Sequence, residues 1–212
     1  MTAALRQSTD RKQAVADHKR QLILAAARRV FERAGLEAAS LRAIAAEAGY
    51  TPAALYFHFD SKEALYAEVL ALSIARLDAA VARAVARARD PAARFRAASL
   101  AFFDFYAANP RDLDLGFYLF QGGMRPRGLG RDHDRALNAA LEATLQPLAA
   151  AAEALGATPA EARVVMADGF AHAVGLLLLL HTGRIRMFGA DARKLLRRRV
   201  EDEIAKLEGG PT

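Results

Sequence analysis

The sequence predicts an all-α protein of about nine helices, in which short N-terminal helices are followed by longer ones. Alanine and leucine dominate, whereas β-branched residues are sparse. Apolar residues recur at helical spacing, and no run alternates convincingly with a period of two. With 212 residues, 53% of them apolar and 25% charged, the chain can bury a substantial core.

The helix starts are marked by side-chain acceptors, several of them followed by proline. Examples are Ser40, Thr51-Pro52, Asp90-Pro91 and the pair Thr158 and Glu161, which has capping-box spacing. Glycines 35, 49, 156 and 189 mark ends or turns, and residues 121–134 are expected to form a flexible loop. The predicted helices span residues 18–34, 40–47, 51–57, 61–88, 91–108, 111–121, 132–155, 159–182 and 190–207.

The first three helices form a predicted helix-turn-helix. Helix 18–34 offers Leu22, Ala26, Val30 and Phe31 to a core, and helix 40–47 adds Leu41, Ile44 and Ala45. The turn between the second and third helices contains Ala48 and Gly49, and Gly49 can adopt a positive φ.

The segment "TPAALYFHFDSKEAL", residues 51–65, sorts its rings by helical spacing. Leu55 and Phe59 are four residues apart and form the expected core pair, so Tyr56 and Phe57 project away. The small residues Pro52 and Ala53 let the helix approach another surface closely. The alternative is that Tyr56 and Phe57 fill a seam against later helices.

The net charge of +6 is concentrated near the N-terminus. Residues 1–62 hold ten Lys or Arg and six Asp or Glu, a difference of +4. This excess favours a polyanionic partner, although an ordinary solvated surface would look the same.

The stretch "SLRAIAAEAGYTPAALYFHFDSKEALYAEVL", residues 40–70, resembles the DNA-binding signature of the tetracycline-repressor (TetR) family of bacterial transcription regulators. The resemblance implies an all-α protein with a helix-turn-helix DNA-binding domain at 18–62, after a basic, flexible arm at 1–17. It implies a ligand-binding and dimerisation domain at 63–212. It also implies a dimeric regulator, usually a repressor, that an effector releases from a palindromic operator in double-stranded DNA.

The resemblance assigns roles to residues around the third helix. The residues implied to contact DNA are Arg42, Thr51, Pro52, Ala53, Tyr56, Phe57, His58 and Lys62. Arg42 would reach a phosphate or a base, and His58 and Lys62 would hold phosphates. Many relatives carry a second tyrosine at position 57, so Phe57 leaves a polar contact there in doubt.

Aromatic residues are concentrated between residues 91 and 121, where they form a core or line an apolar effector cavity. The candidate cavity residues are Phe102, Tyr106, Phe117, Phe120, Met166 and His172. The last two helices are expected to form a homodimer interface through Leu176, Leu179, Leu180, Leu196, Val200 and Ile204. An intramolecular core is the alternative for this stripe.

Other classes of protein find little support in the sequence. There is no cysteine, no catalytic motif such as HExxH or GxSxG, and no metal site or cofactor is expected. The apolar run 169–180 spans only about 18 Å, too short for a bilayer, and the N-terminus lacks a signal-peptide core, so a cytoplasmic protein is expected. The remaining alternative is a helical module that binds a protein or a membrane.

Overall fold

The computed structural model describes residues 3–117 and 128–209, with side chains described from residue 13 onward. Within these ranges the fold is all-α, as predicted, with nine α-helices, one 3-10 helix and no β-strand. The helices are α1 Ala3–Ala38, α2 Leu41–Ala48, α3 Pro52–Tyr56, α4 Lys62–Val85, α5 Pro91–Ala108, α6 Pro110–Gly116, α7 Arg131–Ala154, α8 Pro159–His181 and α9 Ala192–Glu208.

The predicted starts of α2 to α9 lie within two residues of those observed, because the capping residues can be recognised in the sequence. Asp90 and Thr158 accept from the backbone amides of Ala93 and Glu161, and Glu161 completes the capping box. The predicted start of the first helix at 18 was wrong, since α1 begins at Ala3. The 3-10 helix Arg184–Phe188 was not predicted from any sequence pattern.

The chain divides into two compact units, the first formed by Met1–Leu72 and Asp114–Leu137. Its core contains Ile23 and Phe31 of α1, Ile44 of α2 and Leu55 of α3, all almost fully buried. The Phe31 ring meets the buried Tyr66 ring edge-on at 4.7 Å between centroids. The Tyr66 hydroxyl donates to the Leu115 carbonyl at 2.9 Å, which satisfies this buried polar group.

One residue predicted for the core of α1 was wrong. Leu22 is 43% exposed, and its neighbours Ile23 and Leu24 are buried instead. Apolar residues occupy nearly every position from 22 to 27, so the spacing did not determine which face of the helix turns inward.

The second unit contains Ser73–Leu113 and Asn138–Thr212. Its helix α9 is tied to α5 by two bidentate ion pairs, Arg96 with Glu201 at 2.6 Å and Arg193 with Asp104 at 2.6 and 2.8 Å. A fully buried carboxylate, Asp112, accepts from the Ser73 hydroxyl at 2.6 Å and pairs with Arg76. The domain boundary expected near residue 62 remains a prediction.

Candidate nucleic-acid interface and effector cavity

The turn between α2 and α3 is closed by Gly49. Its backbone is left-handed, with φ 73° and ψ 26°, a conformation that costs a residue with a β-carbon about 1–2 kcal/mol. The Gly49 amide donates to the Ala46 carbonyl at 3.2 Å, and the Tyr50 amide donates to the Ala45 carbonyl at 2.9 Å. These hydrogen bonds end α2 sharply and set the direction in which α3 begins.

Helix α3 buries one side and exposes the other. Thr51 caps the helix by accepting from the Ala54 amide at 3.3 Å. Leu55 is 0% exposed and Phe59 is 3% exposed, whereas Tyr56 is 58% exposed and Phe57 is 86% exposed. The rings of Tyr56 and Phe57 therefore have no place in the core of this unit, and the seam alternative fails for them.

The other residues implied to contact DNA belong to the same unit. Arg42, Thr51, Pro52 and Ala53 are exposed. The half-buried His58 ring packs edge-on against Phe57, with 5.3 Å between ring centroids. The half-buried Lys62 ammonium donates to the Glu37 carbonyl at 3.2 Å, which satisfies one of its three donors and leaves it fixed near the start of α4.

Arg20 holds the segment that follows α3, and sequence reasoning missed it. Its guanidinium pairs with Glu68 of α4, donates to the His58 carbonyl at 3.5 Å and lies 4.7 Å above the centroid of the Phe59 ring. One side chain of α1 thus contacts both the α3–α4 connection and the second turn of α4. The sequence did contain a sign of this role. Arg20 lies three residues before the core residue Ile23, so the two side chains share one face of α1.

Glu47 joins α1 to α2 through two arginines. Its carboxylate accepts from Arg29 at 2.7 Å and from Arg33 at 2.8 Å. The hydrogen bond from Arg29, then that from Arg33, lowers the pKa of the Glu47 carboxyl. Glu47 thus stays ionised at neutral pH, and the two arginines are held side by side on the surface.

A groove in the first unit runs between the N-terminal half of α1 and α3. Its lining includes Lys19 of α1, Tyr50 of the turn, and Phe57 and His58. An ammonium, a hydroxyl and an imidazole here surround a space in which a phosphate could be held. Lys19 and Tyr50 were not among the predicted DNA contacts, because Lys19 lies before the 40–70 signature and Tyr50 belongs to the turn before α3.

A second, smaller cavity lies within the other unit, with a volume of about 40 Å³. Two of the predicted cavity residues, Phe102 and His172, line it. Tyr106 and Met166 are buried but do not line it, and Phe117 is half-buried and does not line it either. Phe120 lies outside the described residues.

The polar groups of this cavity are unevenly satisfied. His172 Nε2 is buried and has no hydrogen-bond partner among the described residues. Burial, then the charge of Arg199, lowers the pKa of His172, so the ring is neutral at pH 7. For Tyr106, which is buried nearby but does not line the cavity, burial and then the Asp112 charge raise the pKa to about 12, which keeps that phenol protonated.

The predicted dimer contacts fall into two groups. Four of them are no more than 6% exposed within the single chain, namely Leu176, Leu196, Val200 and Ile204. These four side chains therefore belong to the intramolecular core, which was the alternative interpretation. Leu179 and Leu180 are half-buried. The exposed stripe of α8 consists instead of Val164, Ala167, Ala171, Gly175 and Leu178.

Helix α8 is also the one helix in the described part of the chain that is long and apolar enough to cross a membrane, by length and composition alone. Little of it is buried inside the chain. Across residues 3–117 and 128–209, no group of three His, Asp or Glu side chains could hold a metal ion. Asp134 accepts a hydrogen bond from the Leu129 amide at 3.0 Å.

Comparison with known proteins shows which family of regulators the helix-turn-helix resembles. The model of bacterial regulatory proteins of the tetR family matches residues 23–69, which covers the end of α1 to the start of α4. The HTH-type transcriptional activator FasR of Mycolicibacterium smegmatis (strain ATCC 700084 / mc(2)155) is 42% identical over 89 residues. That match spans 42% of this chain and 41% of FasR, well under half of either protein.

Solved structures resemble the chain over most of its length. A protein of unknown function from Rhodococcus sp. RHA1 has a TM-score of 0.71 and 28% identity, with 90% of this chain and 95% of that one covered. A TetR family transcription regulator from Marinobacter aquaeolei VT8 has a TM-score of 0.69 and 18% identity, with 90% and 97% covered. The family match over residues 23–69 and the FasR similarity support a regulator of the TetR family, and the solved structures show that the chain shares their fold.

Proposed function

We propose that this protein is a homodimeric transcriptional regulator of the TetR family that binds a palindromic operator and is released from it by a small-molecule effector. Repression is the proposed mode. The similarity to FasR, whose name describes an activator, makes activation the competing outcome.

The exposure of Tyr56 and Phe57 beside the buried Leu55 and Phe59 carries the proposal. Helix α3 has five residues and is therefore about 7.5 Å long, and its N-terminal end fits a major groove about 12 Å wide. The Tyr56 hydroxyl can donate to a phosphate or a base edge, and the Phe57 ring can pack on a sugar or a thymine methyl. Arg42, His58 and Lys62 provide the positive or polar groups that hold the backbone.

A second copy of the chain is the proposed cover for the exposed stripe of α8. Ala167, Ala171 and Gly175 are small, so another helix can approach closely, and Val164 and Leu178 supply apolar area. A two-fold dimer would present two α3 helices to half-sites about 34–36 Å apart, one turn of DNA. A membrane is the alternative cover, because α8 meets the length and composition requirement.

The proposed release follows from thermodynamic linkage. An effector that prefers a dimer with mismatched α3 spacing lowers DNA affinity, and DNA lowers effector affinity by the same factor, typically about 1–3 kcal/mol. Helix α4 is the proposed lever, since residues 62–72 belong to the first unit and residues 73–85 to the second. The cavity lined by Phe102 and His172 is the proposed effector site.

The direct test is selection of bound duplexes from a random DNA pool, together with the mass of the protein in solution. We expect recovery of a palindrome that binds a dimer with strong salt dependence. Equal binding to all duplexes, or a stable monomer, would contradict the proposal. Binding of the full chain to lipid vesicles without any preferred duplex would favour the helical interaction module instead.

A further inference from the structure

The effector cavity offers hydrogen-bond acceptors from its two hydroxyl residues. Ser99 donates its hydroxyl hydrogen to the Phe95 carbonyl at 2.9 Å, and Thr144 donates to the Ala140 carbonyl at 3.0 Å. A hydroxyl has one hydrogen and two lone pairs. Both side chains line the cavity with that hydrogen already used, so they face a ligand as acceptors only.

The one cation among the described lining residues, Arg199, is already paired. It donates to Glu203 at 2.6 Å through Nη1 and pairs with Asp168 through Nη2. Asp168 and Glu203 also line the cavity, which gives two negative charges against one positive. Lys206 approaches Glu203 at 3.7 Å, but its side chain is 75% exposed and lies outside the lining. An anionic ligand would therefore meet two carboxylates and a guanidinium that is already paired with both of them.

His172 supplies the remaining polar atom. Its Nε2 is buried without a partner among the described residues, an unfavourable state that a hydrogen-bonding ligand would relieve. A neutral imidazole nitrogen can donate or accept, according to its tautomer, and a hydroxyl group on a ligand serves either case. Around these groups the lining is apolar, with Phe95, Phe102, Phe170 and Leu148 among it.

From these contacts we infer that the effector is an uncharged, largely apolar alcohol or phenol whose hydroxyl group hydrogen-bonds to His172. The inference rests on the proposed function only in calling this molecule the effector, since the binding site is defined by the cavity itself. A volume of about 40 Å³ holds only a few waters, so the ligand enlarges the cavity as it enters. Small probes are the appropriate first test.

The experiment compares 1-hexanol, hexanoate and hexylamine, which share one carbon chain and differ in the head group. Calorimetric titration of the full chain should give an affinity for 1-hexanol at least about tenfold higher than for hexanoate. Hexanoate or hexylamine binding as tightly as 1-hexanol, or no binding by any of the three, would overturn the inference.

Two variants test the residues that set this preference. His172→Leu should weaken 1-hexanol binding about two- to tenfold, the effect of one hydrogen bond. His133→Leu makes the same change at an exposed position outside the cavity and should have no effect. Asp168→Asn should free a guanidinium donor of Arg199 and raise hexanoate affinity relative to 1-hexanol. Unchanged 1-hexanol affinity in His172→Leu, or unchanged selectivity in Asp168→Asn, would refute the assignment.

The ligand class and the regulatory role can fail separately. If 1-hexanol binds as expected but leaves affinity for the selected duplex unchanged, the ligand class stands and effector-controlled release fails. If no duplex is selected while the head-group preference holds, the proposed DNA binding fails and the cavity assignment survives.

Discussion

The two units place their aromatic side chains in opposite ways. On and just after α3, Tyr56 and Phe57 are 58% and 86% exposed, whereas on α5 Phe102 and Tyr106 are 4% and 5% exposed. Phe102 lies edge-on to Tyr106 at 5.1 Å and to Phe170 at 5.7 Å between ring centroids, so these rings support one another. The compared rings are thus exposed to solvent in the first unit, whereas in the second unit they are buried, and Phe102 and Phe170 line a cavity.

The largest expected difference is in stability. Phe102→Ala should lower the free energy of unfolding by about 3–5 kcal/mol, because it removes a buried ring and leaves a void. Phe57→Ala should change it by no more than about 0.5 kcal/mol, because that ring is already in water. Urea unfolding followed by circular dichroism measures both. Equal losses from the two substitutions would show that the contrast in burial has no energetic meaning.

A smaller effect is expected where Arg20 holds the segment after α3. Arg20→Met should cost about 1 kcal/mol, since the ion pair with Glu68 is partly exposed and the contact with the Phe59 ring is added to it. Lys19→Met, one residue earlier and exposed, should cost less than about 0.5 kcal/mol. Thermal unfolding compares the two variants, and equal midpoints would argue against the contacts drawn for Arg20.

The smallest predicted change concerns the salt dependence of DNA binding. Lys62→Ala should reduce the slope of log affinity against log salt by about 0.9, the contribution of one phosphate contact. Lys194→Ala on α9 removes the same charge from an exposed position in the second unit and should leave the slope unchanged. Fluorescence anisotropy at several salt concentrations measures both slopes. An identical slope for Lys62→Ala and the unaltered protein would remove Lys62 from the interface.

The same contrast explains what the sequence could predict. The exposed side of α3 is set by residues that are neighbours in the chain. The spacing of Leu55 and Phe59 was therefore enough to predict that Tyr56 and Phe57 are exposed. The cavity depends on gaps between α5, α7, α8 and α9, whose sizes no local pattern records. The sequence therefore predicted Phe102 and His172, which line the cavity. It also predicted Tyr106 and Met166, which are buried nearby but do not line it.

The stripe on α9 illustrates a second limit. Leu196, Val200 and Ile204 recur every four residues, which predicts burial but not whether the same chain or another copy provides it. Long-range ion pairs were equally hidden. Arg96 and Glu201 are 105 residues apart, and nothing in either local sequence pairs them.

The affinity of Tyr56→Ala for the selected palindromic duplex tests the central claim most directly. Tyr56 is exposed and next to the anchored Leu55, so the variant should keep its circular dichroism spectrum, its dimer mass and its unfolding midpoint. Its affinity for the duplex should fall at least about tenfold, the loss of one good contact in the groove. A variant that binds the duplex as tightly as the unaltered protein would contradict the claim that α3 is the reading helix.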